Sequence, residues 1–237
     1  MRRAGQVVRE TLDLVRLHVK PGATTFDLEK VAEAHIASRG AKPAFKGYHG
    51  YPCVLCTSIN NEIVHGIPSE RRTLKAGDIV SIDTGVVLDG FYGDAAITVP
   101  VGGDLTPELQ KLLDVTRDSL YKGIEAARIG NTVGDVGAAV QRLVEANGFS
   151  VVREFVGHGI GTKLHEDPQV PNYGMPGSGP RLRDGMVLAI EPMVNVGRSE
   201  TRLLDDKWTA VTQDGSWSAH FEHCVAVTKD GPVILTE

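Results

Sequence analysis

The chain has 237 residues and a formal net charge of −5, long enough for a sizeable core in one large domain or two small ones. The acidic balance, with no long basic stripe, argues against nucleic-acid specificity, and no apolar run reaches the about 18 residues that a membrane span needs. Met1–Glu10 is polar without a signal-peptide core, and three cysteines make no disulfide framework, so a reducing cytoplasm is expected.

The first segment has helical spacing at Val8, Leu12, Val15 and Val19 and stops at Lys20-Pro21-Gly22. A second helix starts near Thr24 or Thr25, carries Asp27 and Glu29 in its first turn, and precedes Gly40. Cys53 and Cys56 have no second Cys pair and no His pair to complete a zinc site, and are read as small apolar residues on or beside a strand. Residues 79–99 read as a β-hairpin. A third helix begins at Thr106-Pro107, an N-cap followed by proline at the first helical position, and runs to about Arg128. A fourth covers about Thr132 to Ala146, and later strands carry Met186–Val194 and Ala219–Thr228. This irregular alternation predicts an α+β fold.

The sequence also repeats itself at a shift of 108 residues. Gly22, Thr24, Asp27 and Gly40 fall on Gly130, Thr132, Asp135 and Gly148; Gly77, Ile82 and Asp83 fall on Gly185, Ile190 and Glu191. One shift aligns a helix, its caps and a strand, which implies two related halves, about 1–106 and 107–237, packed as a single domain over 1–237. A site shared between them is the natural place for function.

Asp89-Gly90 between apolar runs is a two-residue hairpin turn. Counting back from it places Asp83 opposite Ala96 and makes Asp94 a diagonal neighbour of Asp83, at roughly 7–8 Å between backbones. Their carboxylates can then converge on two cations about 3.5–4 Å apart. On an isolated hairpin such a polar face would simply meet water, but Glu191 and Glu222 also interrupt apolar strands, where a carboxylate is costly unless paired or metal-bound. His158, set among Gly157, Gly159 and Gly161, adds an imidazole, and His165 lies seven residues on. Asp83, Asp94, His158, Glu191 and Glu222 form a mostly oxygen set suited to Mn, Fe, Co or Zn, able to hold two ions with a hydroxide between them for amide hydrolysis.

The chain closely resembles the bacterial-type (type I) methionine aminopeptidases of the pita-bread fold. The resemblance is carried by Gly47-Tyr48-His49-Gly50-Tyr51-Pro52, Asn60 to Pro68, Asp83 through Asp94, Gly157 to Tyr173, Ile190 to Asn195, and Glu222-His223. It implies two pseudo-symmetric halves with an antiparallel sheet covered by helices. It further implies that Asp83 and Asp94 bind one divalent ion and Asp94, His158, Glu191 and Glu222 the other, with Asp94 and Glu222 bridging and a metal-bridging hydroxide as nucleophile. His65 and His165 would flank the substrate and Glu191 would transfer protons. The methionine pocket would fall on Phe45, Tyr48, Tyr51, Cys56, Leu164 and Trp208. Asn60 and Ser218 match positions that help hold a monovalent cation in some relatives. The implied activity is co-translational removal of the initiator methionine before a small second residue. A cytoplasmic monomer is expected, acting near the ribosome exit where the substrate appears, with Arg71, Arg72 and Lys75, local basic residues of one predicted loop, as the contact. The alternatives are an X-Pro aminopeptidase or prolidase, which normally carries an extra N-terminal domain, and a non-catalytic peptide-binding module of the same fold.

Overall fold

The computed structural model describes residues 1–237. Its helices are α1 (Arg2–Arg16), α2 (Thr25–Ser38), α3 (Pro107–Ala126) and α4 (Val133–Ala146). Thr24 and Thr132 close capping boxes on α2 and α4, with Asp27 and Asp135 returning the bond to the cap. Thr106 caps α3 ahead of Pro107. The third helix ends at Ala126, two residues before the expected Arg128.

Nine strands form one sheet in which every pairing is antiparallel. Its spine runs Lys42–Pro43, Ile79–Leu88, Phe91–Pro100, Glu222–Thr228, Val187–Ile190, Gly157–Gly159, Glu166–Val170. Leu55–Ile59 joins Ile79–Leu88 and Gly231–Ile234 joins Glu222–Thr228. The hairpin closes at Asp89-Gly90, both left-handed (φ 52° and 80°), as a type I′ turn demands.

The helices cover one face of this sheet. Val8, Leu12 and Val15 of α1 and Leu28, Ala32 and Ile36 of α2 bury against Val80, Ile82 and Val86. Leu120 and Ile124 of α3 and Val136 of α4 bury against Leu188, Ile190 and Val225. Each fully buried aliphatic side chain contributes roughly 1.5–3 kcal/mol, so the helix face anchors the sheet and leaves the other face for polar groups. None of the helices is long and apolar enough to cross a membrane.

The 108-residue shift reappears in the backbone hydrogen bonds. Thr25 N bonds Arg72 O and Val133 N bonds Pro180 O; Leu74 N bonds Ala23 O and Leu182 N bonds Asn131 O. The bridge of Thr24 with Thr73 is matched by that of Thr132 with Arg181.

Two expected strands are each broken in two. Met186–Val194 becomes Val187–Ile190 and Met193–Asn195, and Ala219–Thr228 becomes Ser218–His220 and Glu222–Thr228. The second member of the first pair and the first of the second pair meet in a separate small sheet, Met193 opposite His220. Pro192, with no N–H to donate, marks the first break. Glu191 and Phe221 thus stand where two strands leave one sheet for another.

Candidate metal and substrate site

The sheet register puts four of the five candidate ligands on one face, and Glu191 follows at the end of its strand. Asp83 lies opposite Ala96, and Ala96 opposite Glu222, so the three share a row across the sheet. Asp94, two residues from Ala96 and opposite Gly85, points the same way. Cys224, two residues from Glu222, lies opposite Ala189, which in turn lies opposite His158. Glu191 follows Ala189 by two. Ala96 and Ala189, buried in the middle of these rows, keep the space above them open.

Glycines make the close approaches possible. A Cβ on Gly159 would stand 2.3 Å from Asp167 O, and one on Gly157 2.2 Å from Ala189 O, so the strand carrying His158 can be pressed between its neighbours only as glycine–His–glycine. A Cβ on Gly85 would meet Phe45 Cε1 at 2.8 Å and Asp94 Oδ1 at 3.3 Å, which would close the space beside Asp94. Asp94 is fixed from behind as well: its N–H donates to Cys224 Sγ (3.3 Å), whose thiol donates to Asp94 O (3.2 Å).

Asp94, His158 and Glu222, all buried, offer ligand atoms within 4.8 Å of one another. Glu191 Oε1 is 3.6 Å from His158 Nε2, and Asp83 completes the floor of the same cavity. None of the four acids is paired with lysine or arginine. Asp83 Oδ1, Asp94 Oδ1 and Glu222 Oε1 are buried with no hydrogen-bond partner. Orphaned carboxylate oxygens of this kind fit a divalent cation.

The electrostatics agree. Burial, then the neighbouring Asp94 and Glu191, push Asp83 well above the usual carboxylate range. Burial raises Asp94 to about 7, and burial with the charge of Asp94 pushes Glu191 and Glu222 well above theirs. His158 is held down to about 4, by burial and then by His165. Without cations the cluster holds protons, and cation binding must displace them.

The cavity has a volume of about 290 Å³. Phe45, Tyr48, Tyr51, Cys56, Leu164 and Trp208 line it together with His65, His165 and all five acid and imidazole groups. Tyr51 and Trp208 meet edge-on, ring centroids 5.1 Å apart. Cys56 is a buried thiol in this wall, as its apolar reading expects. His65 (φ 61°) stands edge-on to Phe155 and is lowered to about 4 by burial, then by His165. His165 is also lowered, by burial and then by His49. Asn60 and Ser218 meet through Ser218 N–H donating to Asn60 O at 2.9 Å.

Three residues outside the expected set also bear on the site. His49 joins the lining. His220 is buried, with Nε2 3.8 Å from Glu191 Oε2; its only sequence signal is a position two residues before Glu222. Arg72 pairs with Glu62 and donates to Ile67 O (2.9 Å) and Thr57 O (3.1 Å), tying down the loop after His65. It is therefore engaged inside the fold, and the expected basic contact keeps only Arg71 and Lys75 at the surface.

A family model for metallopeptidase family M24 matches residues 1–229. The chain is 55% identical over 236 residues to a methionine aminopeptidase of Clostridium perfringens, covering 100% of this chain and 94% of the relative. It is 52% identical to methionine aminopeptidase 1 of Bacillus subtilis, again over 100% and 94%. Among solved structures, the methionine aminopeptidase of Thermotoga maritima superposes with a TM-score of 0.98 at 48% identity, covering 100% of this chain and 95% of that one. A prolidase of Pyrococcus horikoshii matches at a TM-score of 0.78 and 22% identity, with 60% of its length covered, a likeness of fold alone.

Proposed function

The chain belongs to metallopeptidase family M24, and from that membership we propose that it removes the initiator methionine from nascent proteins whose second residue is small. Its activity is that of a methionine aminopeptidase, a metal-dependent hydrolase, and its fold is the pita-bread fold of its relatives. The finer reading rests on one observation: four acids with no lysine or arginine partner, three of them with orphaned oxygens, and one imidazole share the floor of a cavity whose wall carries Tyr48, Tyr51 and Trp208.

Asp83 and Asp94 would hold one divalent cation and Asp94, His158, Glu191 and Glu222 a second. Bound there, Mn, Fe, Co or Zn would supply Lewis acidity toward a water and toward the scissile carbonyl. The apolar wall of Phe45, Tyr51, Cys56, Leu164 and Trp208 seats the methionine side chain and excludes water. His65 contacts the substrate amide and His165 donates a hydrogen bond to the oxygen of the tetrahedral carbon; both are neutral rings near pH 7 because burial lowers them. Glu191, whose own proton bound cations would displace, takes a proton and returns it to the departing amine. A monovalent cation beside Asn60 and Ser218 belongs to the same reading. So do a single domain of two related halves, a cytoplasmic monomer, and action near the ribosome exit, where the substrate first appears.

The test of substrate choice is methionine release from peptides Met-X-Ser. With X as Gly, Ala or Ser, kcat/KM should exceed that for Leu or Lys by about tenfold to a hundredfold or more. Equal rates across the series would overturn the small-residue preference.

A further inference from the structure

We propose that Tyr48 is a positioning residue that fixes the tautomer of His165, so that His165 Nε2 carries the proton offered to the substrate. The inference rests on the reading above that His165 faces the substrate, and it gives Tyr48 a task beyond lining the pocket.

The Tyr48 hydroxyl lies 2.7 Å from His165 Nδ1, and this is the hydroxyl's sole hydrogen bond. A neutral imidazole has one N–H, and the bond made by one ring nitrogen decides which nitrogen carries it. If Nδ1 were protonated it would donate to the phenol oxygen, and the phenol proton would lose its acceptor within the protein. With the phenol donating, both groups are satisfied and the proton sits on Nε2. Partial burial, with Tyr92 next, raises the Tyr48 phenol above its ordinary value, so it stays a donor. Although part of the His165 ring is buried, the residue stays open to solvent, and without such a bond the ring would exchange tautomers with water.

The backbone holds the phenol in place. Tyr48 begins a short helical turn, Tyr48–Gly50. Tyr48 N bonds Phe45 O (2.9 Å), Tyr51 N bonds Tyr48 O (2.9 Å) and Gly47 N bonds Tyr51 O (2.7 Å). The His49 ring packs edge-on against Tyr48 at 4.4 Å between centroids. On the other side, the His165 ring stands 4.2 Å from that of His158. The bond therefore spans the cavity, linking a residue of the first half of the chain to one of the second, and it sets the chemistry of the ring next to a candidate metal ligand.

The experiment compares wild type, Tyr48→Phe, His165→Ala and the double variant. Nitrogen-15 NMR of the zinc-loaded proteins reads the His165 tautomer, and kinetics on Met-Ala-Ser use the manganese-loaded forms. Wild type should show His165 protonated at Nε2. Tyr48→Phe, which keeps the ring and the pocket wall, should show mixed tautomers. Its kcat should fall about tenfold or more, with KM changed by less than about threefold. In the His165→Ala background, Tyr48→Phe should cause no further loss. A wild-type His165 protonated at Nδ1, an unchanged tautomer and kcat in Tyr48→Phe, or the same loss with and without His165 would each overturn the proposal. If wild type released no methionine, the substrate-facing reading of His165 would fall, and the tautomer measurement, which needs no turnover, would still decide the Tyr48–His165 bond.

Discussion

Replacing Asp94 by Asn is expected to cut methionine release from Met-Ala-Ser by about a thousandfold or more, while the protein remains folded. Several kcal/mol of charge stabilisation by a bound cation, at about 1.4 kcal/mol per tenfold, correspond to that loss. Asp94 is the residue best placed for the effect. It is buried, it lies within 4.8 Å of both His158 and Glu222 through their ligand atoms, and its Oδ1 has no partner. Asparagine has nearly the same shape, and the bonds between the Asp94 backbone and the Cys224 thiol do not involve the residue-94 side chain. The fold is therefore preserved while a charged ligand is lost. The check is a titration of chelator-stripped protein with Mn or Co followed by thermal melting: wild type should gain stability with added metal and Asp94→Asn should gain far less. An Asp94→Asn protein with undiminished metal response and turnover would remove Asp94 from the centre of the site.

The second large effect concerns the stripped protein as pH changes. Burial raises the Asp94 carboxyl to about 7. A carboxyl whose pKa is higher in the folded than in the unfolded chain binds its proton more tightly when folded. Its contribution is complete below the unfolded value near 4 and is lost as pH rises through 7. Integrated over that window, Asp94 accounts for on the order of 4 kcal/mol. Asp83, Glu191 and Glu222, raised for the same first cause, act in the same direction. Asparagine cannot ionise. In chelator, Asp94→Asn should thus be more stable than wild type at pH 7.5 by a few kcal/mol, about the figure given above for Asp94, and the gap should close as pH falls to about 4 and below. Urea unfolding of the two proteins across this range measures it. Added metal should reverse the order at pH 7.5, because only wild type has the full set of anionic ligands. A gap that did not vary with pH would show that Asp94 is not the proton-holding group that its burial makes it.

The sheet and its polar face could be read from the sequence because they follow from local rules. The type I′ turn at Asp89-Gly90 sets the hairpin register, and the register puts Asp83 opposite Ala96 and Asp94 opposite Gly85. The helix starts are written in Thr24/Asp27, Thr106-Pro107 and Thr132/Asp135. The repeat of these signals at one fixed shift points to the bonds that the structure makes twice. What stayed hidden depends on contacts far apart in the chain. That two strands leave the large sheet together, at Glu191-Pro192 and at Phe221, is a property of their pairing with each other and leaves little trace beyond one proline. The packing of His220 beside Glu191, and the Tyr48–His165 bond across 117 positions, are likewise products of the closed fold. Arg72 illustrates the converse: two basic neighbours, Arg71 and Lys75, make it look like part of a surface patch, whereas Glu62 and two carbonyls engage it within the fold.

The polar floor of the cavity should bind the cations on which hydrolysis depends. The most direct measurement is methionine release from Met-Ala-Ser by chelator-stripped protein, with Mn, Fe, Co or Zn added back one at a time. No release is expected in chelator, with release restored by at least one of these metals. Undiminished release in chelator, or none with any metal from protein shown to be folded, would contradict that expectation.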